Sequence, residues 1–270
     1  MLKSNKIVNP SVRASLPPLA NIKHIVAIAS GKGGGGKSTL TVNLALALQK
    51  QGARVGVLDA DIYGPSIPLM LGVNAKPESE DGKSMHPLLA YDLQVMSIGF
   101  LITANTPAIW RGPMVSKALQ QMLYQTCWYA LDYLLVDLPP GTGDIQLTLA
   151  QKIPLAGAVI ITTPQHLALL DARKALLMFR KVNVVTLGIV ENMSQHICTH
   201  CGHVENIFGE QGGTAMSEEF NVPLLGKLPL DQQIREHVDA GKPTVIEAPN
   251  SKITQTYELI AKQMVKRLVC

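Results

Sequence analysis

The chain predicts an α/β fold: one mostly parallel, twisted sheet with helices on both faces. Three observations predict it. Short apolar segments rich in Val, Ile and Leu alternate with segments of helical spacing. Aromatic residues are only 4% of the 270-residue chain, so the core rests on aliphatic side chains, the usual filling of a parallel sheet. The nine residues 31–39, G-K-G-G-G-G-K-S-T, join the first apolar segment to the first helical one. Ligands of such sheets bind beyond the carboxyl ends of the strands, where this loop falls.

Residues 1–21 are polar, contain Pro10, Pro17 and Pro18, and read as a flexible N-terminal arm. Residues 22–270 read as a single domain. Strands are expected at 25–29, 54–58, 93–98, 133–136, 157–162, 184–190 and 223–227. Helical patterns cover 40–49, 114–127, 167–180, 231–239 and 251–268; the last places Ile253, Tyr257, Ile260, Met264 and Leu268 on one stripe. Hydrophobic residues make up 47% and charged residues 16%, enough for a sizeable core. A net charge of +4, with no long basic run, gives no case for nucleic-acid binding. No apolar run approaches the ~18 residues of a spanning helix, and no signal pattern opens the chain. The expectation is a cytoplasmic protein without stable membrane insertion.

Gly31, Gly36, Lys37 and Ser38 match G-x-x-x-x-G-K-[ST], which makes the predicted fold that of a P-loop NTPase. The glycines Gly31, Gly33, Gly34, Gly35 and Gly36 let backbone N–H groups approach phosphate oxygens. Lys37 reaches the β- and γ-phosphates, the Ser38 hydroxyl ligates Mg²⁺, and Thr39 opens a helix whose N-terminus adds positive charge. Lys32 is a second lysine that an ordinary phosphate loop does not need. This form resembles the deviant Walker A motif of the MinD/ParA/nitrogenase-iron-protein class, in which the extra lysine reaches the partner subunit's nucleotide. Gly35 departs from that class, which usually has valine or a similar residue there.

The second strand ends in Asp59-Ala60-Asp61, two carboxylates at i, i+2 that can face one cavity. Asp61 is assigned to orient the attacking water, and Asp59 to support the magnesium water shell. Before Gly64-Pro65, the same aspartates could simply form a turn. Leu134-Leu135-Val136-Asp137 has the Walker B form and puts Asp137 near Mg²⁺, while Gly141 and Gly143 suit a switch loop that senses the γ-phosphate through a backbone N–H. Asn192 offers an amide that could read a base edge. The guanine motif N-K-x-D is absent because Met193 follows, so ATP is favoured over GTP. Pro229 and Asp231 are assigned further contacts near the base.

Cys198-Thr-His-Cys201 is a lone C-x-x-C, compatible with a redox pair, half a zinc site or half a cluster site. Two thiolates cannot fill a four-coordinate site. Histidines 196, 200 or 203 could complete a zinc site, or two subunits could each contribute the pair.

The runs at 30–39, 58–68, 110–114, 137–148, 162–165 and 188–194, with the cysteine segment and 207–213, resemble the Mrp/ApbC family of MinD-like ATPases. That resemblance covers about His24 to the C-terminus and implies that the extra N-terminal domain of many bacterial members is missing. It also implies a homodimeric, ATP-hydrolysing carrier that holds a labile [4Fe–4S] cluster on Cys198 and Cys201 and passes it to apo-proteins. Trp110, Arg111 and Gly112 match a family run without a role read from the residues themselves. Competing readings are a MinD/ParA-like positioning ATPase on a membrane surface and an ATPase with a structural zinc.

Overall fold

The computed structural model describes residues 19–101 and 112–269. Most of the expected arm, together with Trp110, Arg111 and Cys270, therefore lies outside the described residues. The elements follow in order as β1 (Ile22–Ser30), α1 (Lys37–Lys50), β2 (Val55–Asp59), α2 (Ile67–Met70), β3 (Leu88–Ala90), β4 (Leu93–Ser97), α3 (Gly112–Tyr124), β5 (Leu131–Asp137), α4 (Asp144–Lys152) and β6 (Gly157–Thr162). Then come α5 (His166–Lys181), β7 (Thr186–Glu191), β8 (His196–Ile197), β9 (Val204–Glu205), α6 (Gly212–Phe220), β10 (Leu224–Lys227), α7 (Gln232–Asp239), α8 (Thr244–Glu247) and α9 (Lys252–Val269).

Eight strands form one sheet in the order β10-β7-β6-β1-β5-β2-β4-β3, parallel except for β3. Strand β1 lies between β5 and β6, both later in the chain, so its carboxyl end is a switch point of the topology. Side chains alternate across it. Ile25, Ala27 and Ala29 join a core with Leu119 of α3, Leu149 of α4, Phe179 of α5 and Met216 of α6. Val26 and Ile28 join the opposite core with Leu44 of α1, Val245 of α8 and Tyr257 and Ile260 of α9. This two-residue period explains why β1 is apolar on both faces. Helix α1 is buried without a break from Leu40 to Leu48, because it packs on β2 and β5 and is itself covered by α9.

Strand β3 was not expected. It turns into β4 through Tyr91 and Asp92, whose φ values of 50° and 61° are both left-handed. Such a turn favours Asn-Gly, which Tyr-Asp does not resemble. Helix α3 ends at Tyr124, short of the expected 127: Thr126 bridges to Met85, and the Cys127 N–H donates to the Met85 carbonyl.

Candidate functional site

The loop 31–36 leaves the end of β1 and enters α1 at Lys37. Two of its glycines are required by backbone conformation: Gly34 has φ 79° and Gly36 has φ 86°. Gly31 is required by space, since a Cβ there would sit 2.2 Å from the Asp171 carbonyl carbon of α5. Gly35 has neither constraint; its φ is ordinary and a Cβ would meet nothing within 4 Å. A valine in its place, as the related class has, meets no first-atom obstacle.

Strand register brings the acidic residues together. Asp59 ends β2 opposite Asp137, which ends β5. Asp137 is fully buried and accepts from Lys37 Nζ at 2.8 Å and from Ser38 Oγ at 2.6 Å. Thr41 Oγ1, which the sequence reading missed, lies 2.8 Å from Asp137 Oδ1 and 2.9 Å from the Lys37 carbonyl, and its one proton serves either. The available signal was its position one helical turn after Lys37. Asp61 Oδ2 lies 3.2 Å from Lys37 Nζ, while its Oδ1 accepts from the Tyr63 N–H. Burial works against the Lys37 charge, but the Asp137 and Asp61 carboxylates outweigh it and raise the ammonium above its ordinary value.

Asp59 is buried differently. Its oxygens accept from Ser97 Oγ at 2.9 Å and from the backbone N–H groups of Asp61 at 3.1 Å and Ile67 at 3.3 Å. Burial first, then the Asp137 charge, push its carboxyl up to about 8. Its lone pairs thus tie the 59–67 segment to β4.

The remaining expected residues cluster less uniformly. Lys32 Nζ reaches Gln165 Oε1 at 3.4 Å, at the start of α5. Asn192 Nδ2 donates to the Gly35 carbonyl at 2.9 Å, so this donor is spent on the glycine loop. Gly141, with φ 105°, donates its N–H to the Ser30 carbonyl at 3.0 Å. Gly143 caps α4. Asp231 caps α7, accepting from the Gln233 N–H at 2.7 Å, and Pro229 lies in the same connection after β10.

Cys198 and Cys201 lie apart from the main sheet, in the turn of the β8–β9 hairpin. The Cys198 N–H donates to the His203 carbonyl, and the Gly202 N–H returns to the Cys198 carbonyl. Both thiols are free, one half-buried and one exposed. Backbone N–H groups of Cys201 and His200, then the Cys201 thiol, favour the Cys198 thiolate and lower its pKa from the ordinary value. Among the described residues no three His, Cys, Asp or Glu side chains gather to hold a metal. His196 Nδ1 lies 3.1 Å from the Leu230 carbonyl, which fixes the ring against the connection after β10. No helix among the described residues is long and apolar enough to cross a membrane.

A family model described as ParA, NUBPL iron-transfer P-loop NTPase, matches residues 21–265. The chain belongs to this family. Among the relatives of this ParA/NUBPL chain, an iron-sulfur cluster carrier protein of Pseudomonas fragi is 57% identical, covering 95% of this chain and 91% of the relative. An iron-sulfur cluster carrier protein of Escherichia coli K12 is 55% identical over 93% of this chain and 69% of its own length. The iron-sulfur cluster transfer protein NUBPL of Mus musculus is 47% identical over 93% of this chain and 79% of its own. Among solved structures, a nucleotide-binding protein of Archaeoglobus fulgidus in complex with ADP superposes with TM-score 0.76 at 36% identity, covering 88% of this chain and 93% of that one. The cell-division ATPase MinD of Pyrococcus furiosus, at 24% identity and TM-score 0.68, shares the fold. The ParA/NUBPL chain thus has the fold of the nucleotide-hydrolysing P-loop enzymes, and close relatives that are carriers or transfer proteins for iron–sulfur clusters.

Proposed function

We propose that the protein is an ATP-hydrolysing iron–sulfur cluster carrier acting in the cytoplasm. A homodimer holds a labile [4Fe–4S] cluster on Cys198 and Cys201 of each subunit and delivers it to apo-proteins. The observation that carries this reading is the cysteine pair itself: two accessible thiols on a hairpin, with no further ligand gathered around them among the described residues. Thiolates suit an iron–sulfur cluster, and four are supplied when two chains meet.

The glycine loop and Lys37 bind the phosphates. The Ser38 hydroxyl and the Asp137 carboxylate are hard oxygen donors already 2.6 Å apart, and fit Mg²⁺. They would hold the ion, with Asp59 on the neighbouring strand end, and the ion would neutralise phosphate charge. Lys37 leaves the carboxylates when a phosphate oxygen takes its ammonium, which frees Asp61 to orient water. Lys32 exchanges Gln165 for the nucleotide of the second subunit. Gly141 and Gly143 carry the switch that follows the γ-phosphate.

Anaerobic reconstitution tests the carrier reading. The wild type should take up about four iron and four sulfide per dimer, with a broad absorbance band that falls when an apo-protein acceptor is added. Iron uptake unaffected by Cys198→Ala would show that the cluster does not sit on this pair.

A further inference from the structure

The cysteine hairpin is part of an excursion, residues 192–212, that leaves β7 and returns at α6. One residue closes its base. Glu191, the last of β7, is 1% exposed, and its Oε2 accepts from the Gly213 N–H in the first turn of α6. Its Oε1 lies 3.4 Å from Lys227 Nζ, at the end of β10. The excursion is also tied just before β8, where the Ser194 N–H donates to the Leu228 carbonyl at 2.9 Å and the Leu230 N–H to the Gln195 carbonyl at 2.8 Å.

The next residue reaches the opposite way. Asn192 Nδ2 donates to the Gly35 carbonyl at 2.9 Å, and packs so closely on the loop that a Cβ at Gly36 would lie 2.2 Å from it. The Gly35 carbonyl and the Gly36 N–H belong to one peptide plane. In a trans peptide these two groups point in opposite directions. The plane therefore holds Asn192 at one end and presents the Gly36 N–H at the other, where a phosphate oxygen is bound by loops of this kind. A tilt of that plane moves the Asn192 amide, and Asn192 is bonded covalently to the clamp of the cysteine excursion.

We propose that Glu191 and Asn192 are positioning residues that couple the nucleotide loop to the cysteine pair. Asn192 reads the orientation of the Gly35–Gly36 peptide, and Glu191 passes it to the base of the excursion that carries Cys198 and Cys201. The proposal rests on the carrier reading only for its purpose; the coupling itself is a property of the apo-protein and is measured there.

The experiment follows thiol reactivity toward a chromogenic aromatic disulfide, in a Cys127→Ser, Cys270→Ser background, with and without Mg-ATP. With both other cysteines replaced, the signal comes from Cys198 and Cys201. Nucleotide should change their rate by about fivefold or more, the usual size of a coupling between sites. Asn192→Ala and Glu191→Ala should bring that ratio close to one. Glu191→Gln keeps an acceptor for the Gly213 N–H and should restore it, which a merely structural role for the charge would not predict. Each variant is measured at nucleotide saturating for that variant, because loss of one neutral hydrogen bond lowers affinity by up to about tenfold. Thermal unfolding confirms that each is folded. A wild-type ratio of one, or a full ratio in Asn192→Ala, overturns the coupling. Iron uptake in the same proteins separates the two readings: uptake without a thiol ratio removes the coupling alone, and a ratio without cysteine-dependent uptake removes the carrier reading alone.

Discussion

Gly36→Ala and Gly35→Ala are the same chemical change at adjacent positions and should have opposite signs. At Gly36 the φ of 86° is left-handed, which costs an L side chain about 1–2 kcal/mol. The new methyl would also lie 2.2 Å from Asn192 Nδ2, so the amide must move and give up its bond to the Gly35 carbonyl. Losing that bond adds about 0.5–1.5 kcal/mol, for a total destabilisation of about 1.5–3.5 kcal/mol. At Gly35 the backbone is unstrained and the methyl meets nothing within 4 Å. Alanine there removes only conformations of the unfolded chain, a stabilisation of about 0.4–1 kcal/mol. Urea unfolding of both variants beside the wild type measures the two numbers, and titration with a fluorescent ATP analogue should show weaker binding for Gly36→Ala only. Equal stability of Gly36→Ala and wild type, or a loss at Gly35 as large as at Gly36, would refute the assignment of roles within the loop.

Three further expectations follow from the site and its surroundings. Lys32→Ala should lower the ATP hydrolysis rate at least about a hundredfold, as loss of a charge supplied to the transferring phosphate does, while nucleotide affinity changes little; unchanged turnover would place Lys32 outside the reaction. Asp137→Asn removes a buried charge-assisted partner of Lys37 and Ser38, so Mg-ATP affinity should fall about ten- to a hundredfold by calorimetry, and excess chelator should weaken the wild type but have little further effect on the variant. At the surface, Asp132 is held well below the usual carboxylate range by its bonds to Arg54 and then Lys23. A depressed folded pKa means stability that is present above the unfolded carboxyl value near 4 and lost as pH falls through the folded one. Asp132→Asn should therefore cost under about 1 kcal/mol at neutral pH, the size of an exposed pair, with the gap to wild type closing below about pH 4. A gap that widened in acid would have the sign wrong.

The fold was largely legible because its signals are local. The strand at 157–162 has the expected bounds, and the other expected strands are recovered with ends shifted by a few residues. Elements without a local signal were not. Strand β3 depends on a turn through Tyr91 and Asp92, which have no glycine between them. Helix α6 begins with Gly212 and Gly213, poor helix formers, yet Gly212 is needed because a Cβ would meet Leu169 of α5 at 2.6 Å and the Pro164 carbonyl oxygen at 3.0 Å, and Gly213 because a Cβ would meet Glu191 Oε2 at 2.9 Å. Thr41 was missed because its partner, Asp137, is distant in sequence. Asn192 was assigned a base contact from its place at a strand end, but its donor is used by Gly35, which only the packing of β7 beside the loop reveals.

The sequence by itself determined the glycine-rich strand–loop–helix, the acidic strand ends, and a single C-x-x-C pair. These follow from spacing, and spacing survives without a structure. The tertiary structure decided what those groups touch. Parallel register sets Asp59 beside Asp137, two glycines at left-handed φ separate the required loop positions from the free one at Gly35, and the neighbours Glu191 and Asn192 touch the start of α6 and the glycine loop respectively. Each of these depends on atoms brought together from distant parts of the chain, where no short-range pattern records the contact.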